Sequence, residues 1–563
     1  MDASLLQQSL RHAENLRAQG QLAAAEDLCR RLVQEFTGFA AGWNFLGVLH
    51  ADAGRPMQAA DAFERACLLA PHDATYPANL GELLRRNGLA ERAVDFCRRA
   101  LAVDAGHASA RLNLGYALLD TDRIDEAAEH LQWLVQREPG LASAWFGLGR
   151  AHMARSRFAQ ALDCLTRCAT LNPNDPEVAL ALAHAQRCLG HTAQAQDQAQ
   201  RVAALLPGHP AVLALQADLL LEQGRPDAAE AAIRATLRAG QPAAAGVLYR
   251  LALCRLAQGD YLEGFSLFES RLHLTRNDIS NPIARPVLPM PLWQGEPLQG
   301  KRLLVLTEQG YGDHIQFCRF VPQLAALGAQ VTLAVGPPLA QLMLGLPGCA
   351  RVVTRIEEAR ESGCDYWTFV ASLPHRLRVN AQHVGIDGPY LHADDARRTA
   401  WRQRLTHLGP GRRVGLVWGG RPENEYERRR TVPLQALAAL RSALPEVRWV
   451  SLQMGPRAGD AASGALPMEV LSPDELGSFA DTAALLCELD ALVSVDTAFA
   501  HLAGALGRPL QLMLPVGCDW RWGQHGDRTA WYASARLHRQ TAAGRWDDVV
   551  TRVAAALRMA PAP

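Results

Sequence analysis

Lysine is almost absent. Among 563 residues only Lys301 carries it, and arginine supplies nearly all of the positive charge. Any clamp for a phosphate must then be built from arginine, backbone N–H groups or helix ends. An excess of either charge is missing too. Charged residues make up 20% of the chain and the formal net charge is zero. That excludes a global pull toward nucleic acid or an anionic membrane. No apolar run reaches bilayer-spanning length. The polar, amphipathic opening MDASLLQQSLRHAENL is not expected to be a signal peptide. The twelve cysteines are scattered without a CxxC pair. Cys164 and Cys168 stand one helical turn apart in an alanine-rich segment, where packing is the expected role. Neither a zinc site nor a disulfide framework is expected, and a reducing cytoplasm fits best. No Asp-x-Asp pair lies at a strand end in the second half, and no His/Cys cluster has ligand spacing. No metal and no cofactor are expected.

What is present is a repeat. A chain of this length is too long for one core, so two to four domains are expected. From Ala40 onward the sequence resembles itself at a step of 34 residues. Gly47 recurs as Gly81, Gly115, Gly149, Ala183 and Ala217. Ala59 recurs as Ala93, Ala127, Ala161, Ala195 and Ala229. Pro71, Pro139, Pro173 and Pro207 mark the turns between repeats. Period and residue type resemble the tetratricopeptide repeat. Each unit reads as two helices that approach closely at the small residues, with Leu46 and Phe63 filling the space between. One pair cannot bury its apolar face alone, so seven or eight pairs are expected to stack. Residues before Ala40 read as a degenerate cap and residues 244–275 as a modified last pair. Two roles stay open: a groove that captures a protein or peptide segment, or a rigid spacer or dimerisation surface.

The pattern changes after NDISNPIARPVLPMPLW, where four prolines mark a linker. KRLLVLTEQG reads as a buried strand, DHIQFCRFVPQLAALG as a helix and QVTLAVG as the next strand. A second unit starts at Arg412 with RVGLVWGG, VRWVSLQMG, ALVSV and PLQLMLPV as strands. Alternating strand and helix argues for parallel sheets covered on both faces. The expected domains are 1–275 repeats, 276–298 linker, 299–400 a first Rossmann-like domain and 412–563 a second. Two such domains in tandem normally form a cleft at the carboxyl ends of their strands. In GYGDHI, Gly310 and Gly312 allow a tight strand-to-helix bend with backbone close to a ligand. It is neither a P-loop nor a dinucleotide fingerprint. Asp313 is expected at the helix N-cap, either as a cap alone or as a chemical group at the cleft edge.

LTEQGYGDHIQFCRFVPQL, RVGLVWGGRPENEYERRRTVPL, FADTAALLCELDALVSVDTAFAHLAGALGRP and DWRWGQHGDRTAWYASARLHRQ occur in an order that resembles one family. They look like the bacterial tetratricopeptide-repeat glycosyltransferases, whose catalytic half is similar to the ADP-heptose:lipopolysaccharide heptosyltransferases. The architecture is also similar to that of protein O-GlcNAc transferases. The resemblance implies an α-solenoid followed by a GT-B pair of Rossmann-like domains. It implies a cytoplasmic, inverting, metal-independent transferase that moves sugar from a nucleotide-sugar donor to a protein or surface-glycan acceptor.

The resemblance makes Asp313 the base, with Glu308 as the second candidate. Free N–H groups at Thr497, Ala498 and Phe499 would meet the donor diphosphate. Asp496 would orient that turn, and His501 would face the ligand or pack. Arg428 or Arg430 would clamp the diphosphate or belong to a solvated face. Gly310, Gly312, Trp418, Gly419 and Gln453 are counted with the donor site. Trp520 and Trp522 would wall a sugar pocket or bury a sheet edge. Arg421 and Asn424 stand where the family usually has asparagine and histidine, and Met454 where it has lysine. Those departures favour the alternative reading, a non-catalytic repeat scaffold with a degenerate transferase domain.

Overall fold

A computed structural model describes residues 3–240, 243–275, 283–308, 310–384, 388–421 and 426–559. The chain divides into two compact units, Met1–Leu189 and Gly190–Pro563. The division falls inside the repeat array, at a glycine that the period alone does not distinguish.

The first unit contains eleven helices among its described residues, from Ala3–Ala18 to Pro176–Cys188. The glycine series explains their close approach. A Cβ added at Gly47 would lie 2.7 Å from Phe63, and one at Gly81 2.5 Å from Cys97. At Gly115 and Gly149 it would lie 2.8 Å from Leu131 and Leu165. In each case the obstacle is sixteen residues on, on the second helix of the pair. Ala59, Ala93, Ala127 and Ala161 are fully buried on that second helix. A second series sits in the turn within each pair. Gly20, Gly54 and Gly88 adopt positive φ, and the same place is taken by Asp122 and Ser156 at φ 64° and 54°. The turn geometry is therefore set by the repeat even where the sequence offers no glycine.

The second unit opens with five helices, Thr192–Leu205, Pro210–Glu222, Pro226–Arg238, Ala245–Ala257 and Tyr261–Phe268. The last two are built into the α/β part. Phe265 packs against Trp520 and Phe317 with ring centroids 5.6 and 6.2 Å apart, and Tyr261 against Trp531 at 5.4 Å. Behind them Arg271, nearly inaccessible, donates to Glu269 at 2.6 Å, Glu308 at 2.7 Å and Ser372 at 2.8 Å. Within the linker, Leu292 forms a parallel bridge to Trp367; residues 276–282 lie outside the described residues.

Among the described residues ten strands follow: β1 (Arg302–Leu306), β2 (Gln330–Ala334), β3 (Cys349–Val353), β4 (Tyr366–Phe369), β5 (Arg413–Val417), β6 (Arg448–Ser451), β7 (Glu469–Val470), β8 (Ala491–Val495), β9 (Leu510–Leu514) and β10 (Ala535–Arg539). They form two sheets, ordered β3-β2-β1-β4 and β10-β9-β8-β5-β6-β7. Every pairing is parallel. The continuous apolar runs follow from this, because parallel strands are buried on both faces. Strands β8 and β9 are buried at every position. The segment LQALAALRSALPE, read as one helix, is two short ones, Leu434–Leu437 and Ala439–Ala443. No helix among the described residues is long and apolar enough to cross a membrane.

Candidate functional site

In an open parallel sheet the crevice forms where strand order reverses, outside the carboxyl ends. In the first sheet that point is the end of β1, which carries Gly310 to Asp313. In the second it lies between β5 and β8, whose ends carry Gly419–Gly420 and Asp496–Thr497. These segments line one cleft of about 1510 Å³.

The GYGDHI bend ends in the Tyr311–Phe317 helix, with Gly310 as the extended cap residue at φ −66°, ψ 165°. Asp313 is thus not the N-cap, as the sequence suggested. It stands three residues later, and its Oδ2 accepts from the Gly310 N–H at 3.1 Å. The glycine takes the cap conformation without steric cost, and the carboxylate closes the turn from inside the helix. The other oxygen, Oδ1, accepts from Arg521 Nη2. A carboxylate offers about four lone-pair positions, so two bonds leave Asp313 able to accept a further donor from the cleft.

Opposite Asp313 stands the Ala498–Ala505 helix, with Thr497 as its cap. The first N–H groups bonded inside the turn are those of Ala500 and His501, both to the Thr497 carbonyl, at 3.0 and 3.3 Å. The N–H groups of Thr497, Ala498 and Phe499 precede them, and all three residues line the cleft. The two bends touch: a Cβ on Gly312 would lie 2.8 Å from the His501 ring and 3.5 Å from Ala498. Gly312 is needed for that approach.

His501 both lines the cleft and packs. Its ring stacks on Trp522 at 5.2 Å, and Nδ1 pairs with the Tyr532 hydroxyl at 2.9 Å. Its Nε2 lies 3.6 Å from Asp496. Burial alone would raise the Asp496 carboxyl, but His501 and Arg430 outweigh it and hold the group below the usual range.

Arg430 bridges the two strand ends. Its Nη1 donates to the Asp496 carbonyl at 2.7 Å, and its Nε to Glu427 at 2.9 Å. Glu427 also accepts from the Gly420 N–H at 2.7 Å and from Arg457 at 3.2 Å. This buried glutamate was not singled out in the sequence. Of the three consecutive arginines, Arg429 and Arg430 line the cleft. Arg428 is exposed and lies outside the lining, so its assignment to the site is corrected. One residue of helical rotation separates the solvent face from the cleft face.

Trp418 is also corrected. It is fully buried in the core of the second sheet, and its indole donates to Asp460 at 3.2 Å. Gln453 reaches the cleft with its amide engaged. Oε1 accepts from the Trp418 and Gly419 N–H groups at 3.0 and 2.9 Å, and Nε2 donates to the Gly419 and Met454 carbonyls. It ties the end of β5 to the end of β6, and a Cβ on Gly419 would lie 2.6 Å from Arg457. Met454 and Arg421 line the cleft, the latter 5.8 Å over the Tyr311 ring. Asn424 lies outside the described residues. Glu308 is turned away from the cleft toward Arg271. Burial, opposed by that arginine, pushes its carboxyl up to about 7. Trp520 joins the aromatic cluster and touches the cleft, whereas Trp522 is buried under His501.

Two features were missed. Arg521, within the DWRW segment, holds both Asp519 and Asp313 on one guanidinium; nothing local in that segment marks it. Part of the wall comes from the repeat helices Pro210–Glu222 and Ala245–Ala257. Asp218 and Arg250 form a bidentate pair there, at 3.0 and 2.9 Å, and Glu222 meets Arg429 at 3.3 Å. The sequence assigned the repeats a groove of their own and did not place them at this cleft.

A family model described as the tetratricopeptide repeat matches residues 10–74, 46–110, 112–176 and 214–278. The chain carries tetratricopeptide repeats. Protein FlbA of Caulobacter vibrioides is 31% identical over 362 residues, which cover 60% of this chain and 59% of that protein. The chain therefore spans less than two thirds of the length of this curated relative. Among solved structures, YrrB, described as a tetratricopeptide-repeat protein with an unusual peptide-binding site, is similar at 20% identity. The match covers 32% of this chain and 90% of that one, with a TM-score of 0.28. Pseudomonas aeruginosa PilF is similar at 23% identity over 36% and 91% of the two chains, with a TM-score of 0.32.

Proposed function

We propose that the cleft transfers a sugar, with inversion and without a metal, from a nucleotide-sugar donor to a hydroxyl of an acceptor recruited by the repeats. The two α/β halves then correspond to a GT-B pair. One observation carries the reading: Asp313 and the open amino end of the Ala498–Ala505 helix line the same cleft from its two halves. The acceptor hydroxyl attacks the anomeric carbon as the bond from that carbon to the diphosphate oxygen breaks. Asp313 takes the hydroxyl proton. The N–H groups of Thr497, Ala498 and Phe499, with Arg430 beside them, receive the negative charge of the departing diphosphate. The acceptor is a protein or peptide, the class of partner that tetratricopeptide repeats suit.

A second reading is supported by Met454. An apolar side chain faces the cleft where the resembling family has a cation, as suits a scaffold that has lost its chemistry. Thermal shift against uridine, guanosine, adenosine and cytidine nucleotide sugars at millimolar concentration separates the two. A ligand that binds the folded state raises the melting temperature. Binding followed by release of free nucleotide supports transfer, with release expected to persist in EDTA. Binding without turnover on any acceptor supports the scaffold. No shift with any nucleotide sugar refutes the donor site.

A further inference from the structure

We propose that Arg521 is the positioning residue for Asp313: it holds one carboxylate oxygen, so that the other faces of the carboxylate stay turned to the cleft. The inference rests on the reading of Asp313 as a base. Arg521 is almost completely buried, and each part of its guanidinium is used. Nε donates to Gln316 Oε1 at 2.5 Å, Nη1 to Asp519 Oδ1 at 2.9 Å, and Nη2 to Asp313 Oδ1. Its Cζ lies over the Trp520 ring at 4.5 Å and over the Phe317 ring at 5.6 Å. Asp519 also accepts from the Arg521 N–H at 3.0 Å, which closes the short Trp520–Trp522 helical turn. A guanidinium fixed on three sides has a single orientation, and so has the carboxylate it holds.

The charge count points away from a phosphate role. Two carboxylates, Asp313 and Asp519, already neutralise Arg521. Burial by itself would lower the arginine, yet Asp519 and Asp313 raise it above its ordinary value. A cation so engaged has little left for a diphosphate, whereas Arg430 is held by one carboxylate and by a carbonyl. The geometry also joins the two halves of the cleft, since Arg521 and Asp313 are 208 residues apart. The charged and titratable groups around Arg521 are Asp519 on its own segment, Asp313 on the facing helix, Asp496 at the end of β8 and Tyr249 on the repeat helix. Of these, Asp313 and Asp519 touch it.

The test uses the full chain, calorimetry with UDP, GDP, ADP and CMP as probes, and consumption of the matching nucleotide sugar as turnover. In Arg521→Gln the affinity for the nucleotide and the donor KM are expected to stay within about threefold of wild type. The kcat is expected to fall about 10²-fold, as loss of an oriented base does. Its acidic limb should move to higher pH, because a carboxylate without its cation keeps its proton more tightly. Asp519→Asn removes the competing carboxylate and should move that limb to lower pH. Opposite displacements are what a merely structural arginine would not produce, and the second variant reads the same contact if Arg521→Gln does not fold. A tenfold loss of nucleotide affinity in Arg521→Gln would make it a phosphate ligand and overturn the proposal. Unchanged kcat and pH limb in Asp519→Asn would overturn it as well. Binding of none of the four nucleotides would remove the donor site itself, and this inference with it.

Discussion

The pair formed by Asp218 and Arg250 offers a quantitative test of how the repeat helices are fused to the cleft. Both side chains are 7% exposed. Arg250 donates through Nε and Nη2 to the two carboxylate oxygens at 3.0 and 2.9 Å, and through Nη1 to the Gly246 carbonyl at 3.3 Å. Burial opposes the charge of the arginine, but Asp218 outweighs it and holds the proton more firmly than usual. Asp218→Ala takes from the buried guanidinium the carboxylate that holds it on two sides. Breaking a buried pair from one side costs about 3–5 kcal/mol. Replacing both partners by apolar groups, Asp218→Leu with Arg250→Met, removes the uncompensated charge, so the double variant should lie within about 1–2 kcal/mol of wild type. Equilibrium urea unfolding of a chain starting at Gly190 measures both, because that chain keeps the whole cleft. The reasoning is refuted if Asp218→Ala costs less than about 1 kcal/mol, or if the double variant is as unstable as the single one.

Asp313→Asn should lower turnover about 10²-fold with nucleotide affinity retained. It should also lower stability, because Arg521 is left with Asp519 alone; normal turnover, measured by nucleotide release, would leave only the turn-closing role. Glu308 is predicted to make stability fall with rising pH. Its folded carboxyl, pushed up to about 7 by burial against the pull of Arg271, holds a proton between about pH 4.5 and 7 that the unfolded chain has already lost. Thus the contribution is fullest below about 4.5 and is lost as pH approaches 7, and the wild-type difference from Glu308→Gln across that window reads it. A chain starting at residue 276 should aggregate, since it strips Phe265 and Phe268 from Trp520 and Arg271 from Glu308. One starting at Gly240 would leave Arg250 and Arg429 without Asp218 and Glu222. A chain from Gly190 should be monodisperse by light scattering and bind nucleotide as the full chain does. Ser156→Gly should stabilise the first unit by about 1 kcal/mol or less, read as a higher melting temperature, because a non-glycine residue at φ 54° is strained; a lower melting temperature would count against it.

How much was legible depends on the range of the interaction. The 34-residue period was visible because each small residue answers to a neighbour sixteen positions away, as Gly47 does to Phe63. The alternation of strands and helices was visible because buried parallel strands must be apolar throughout. Short or weakly patterned elements were not, among them β7, β10 and the Asp395–Arg404 helix, whose stability comes from neighbours already in place. Most residues assigned to the site line the cleft; Trp418, Arg428, Glu308 and Trp522 do not. Glycines, acidic residues and helix starts at strand ends are local signals, and the crevice rule then gathers them.

The sequence by itself determined the period, the parallel sheets and the strand ends that meet at the cleft, because each follows from local spacing and burial. Only the tertiary structure decided which charges meet. Arg521 reaches Asp313 across 208 residues, and Glu308 turns to Arg271. The repeat helices become a wall of the cleft through Asp218 and Glu222. An arginine reads alike in any segment, and its partner is chosen by which carboxylate the packed helices and strands carry to it before water is excluded.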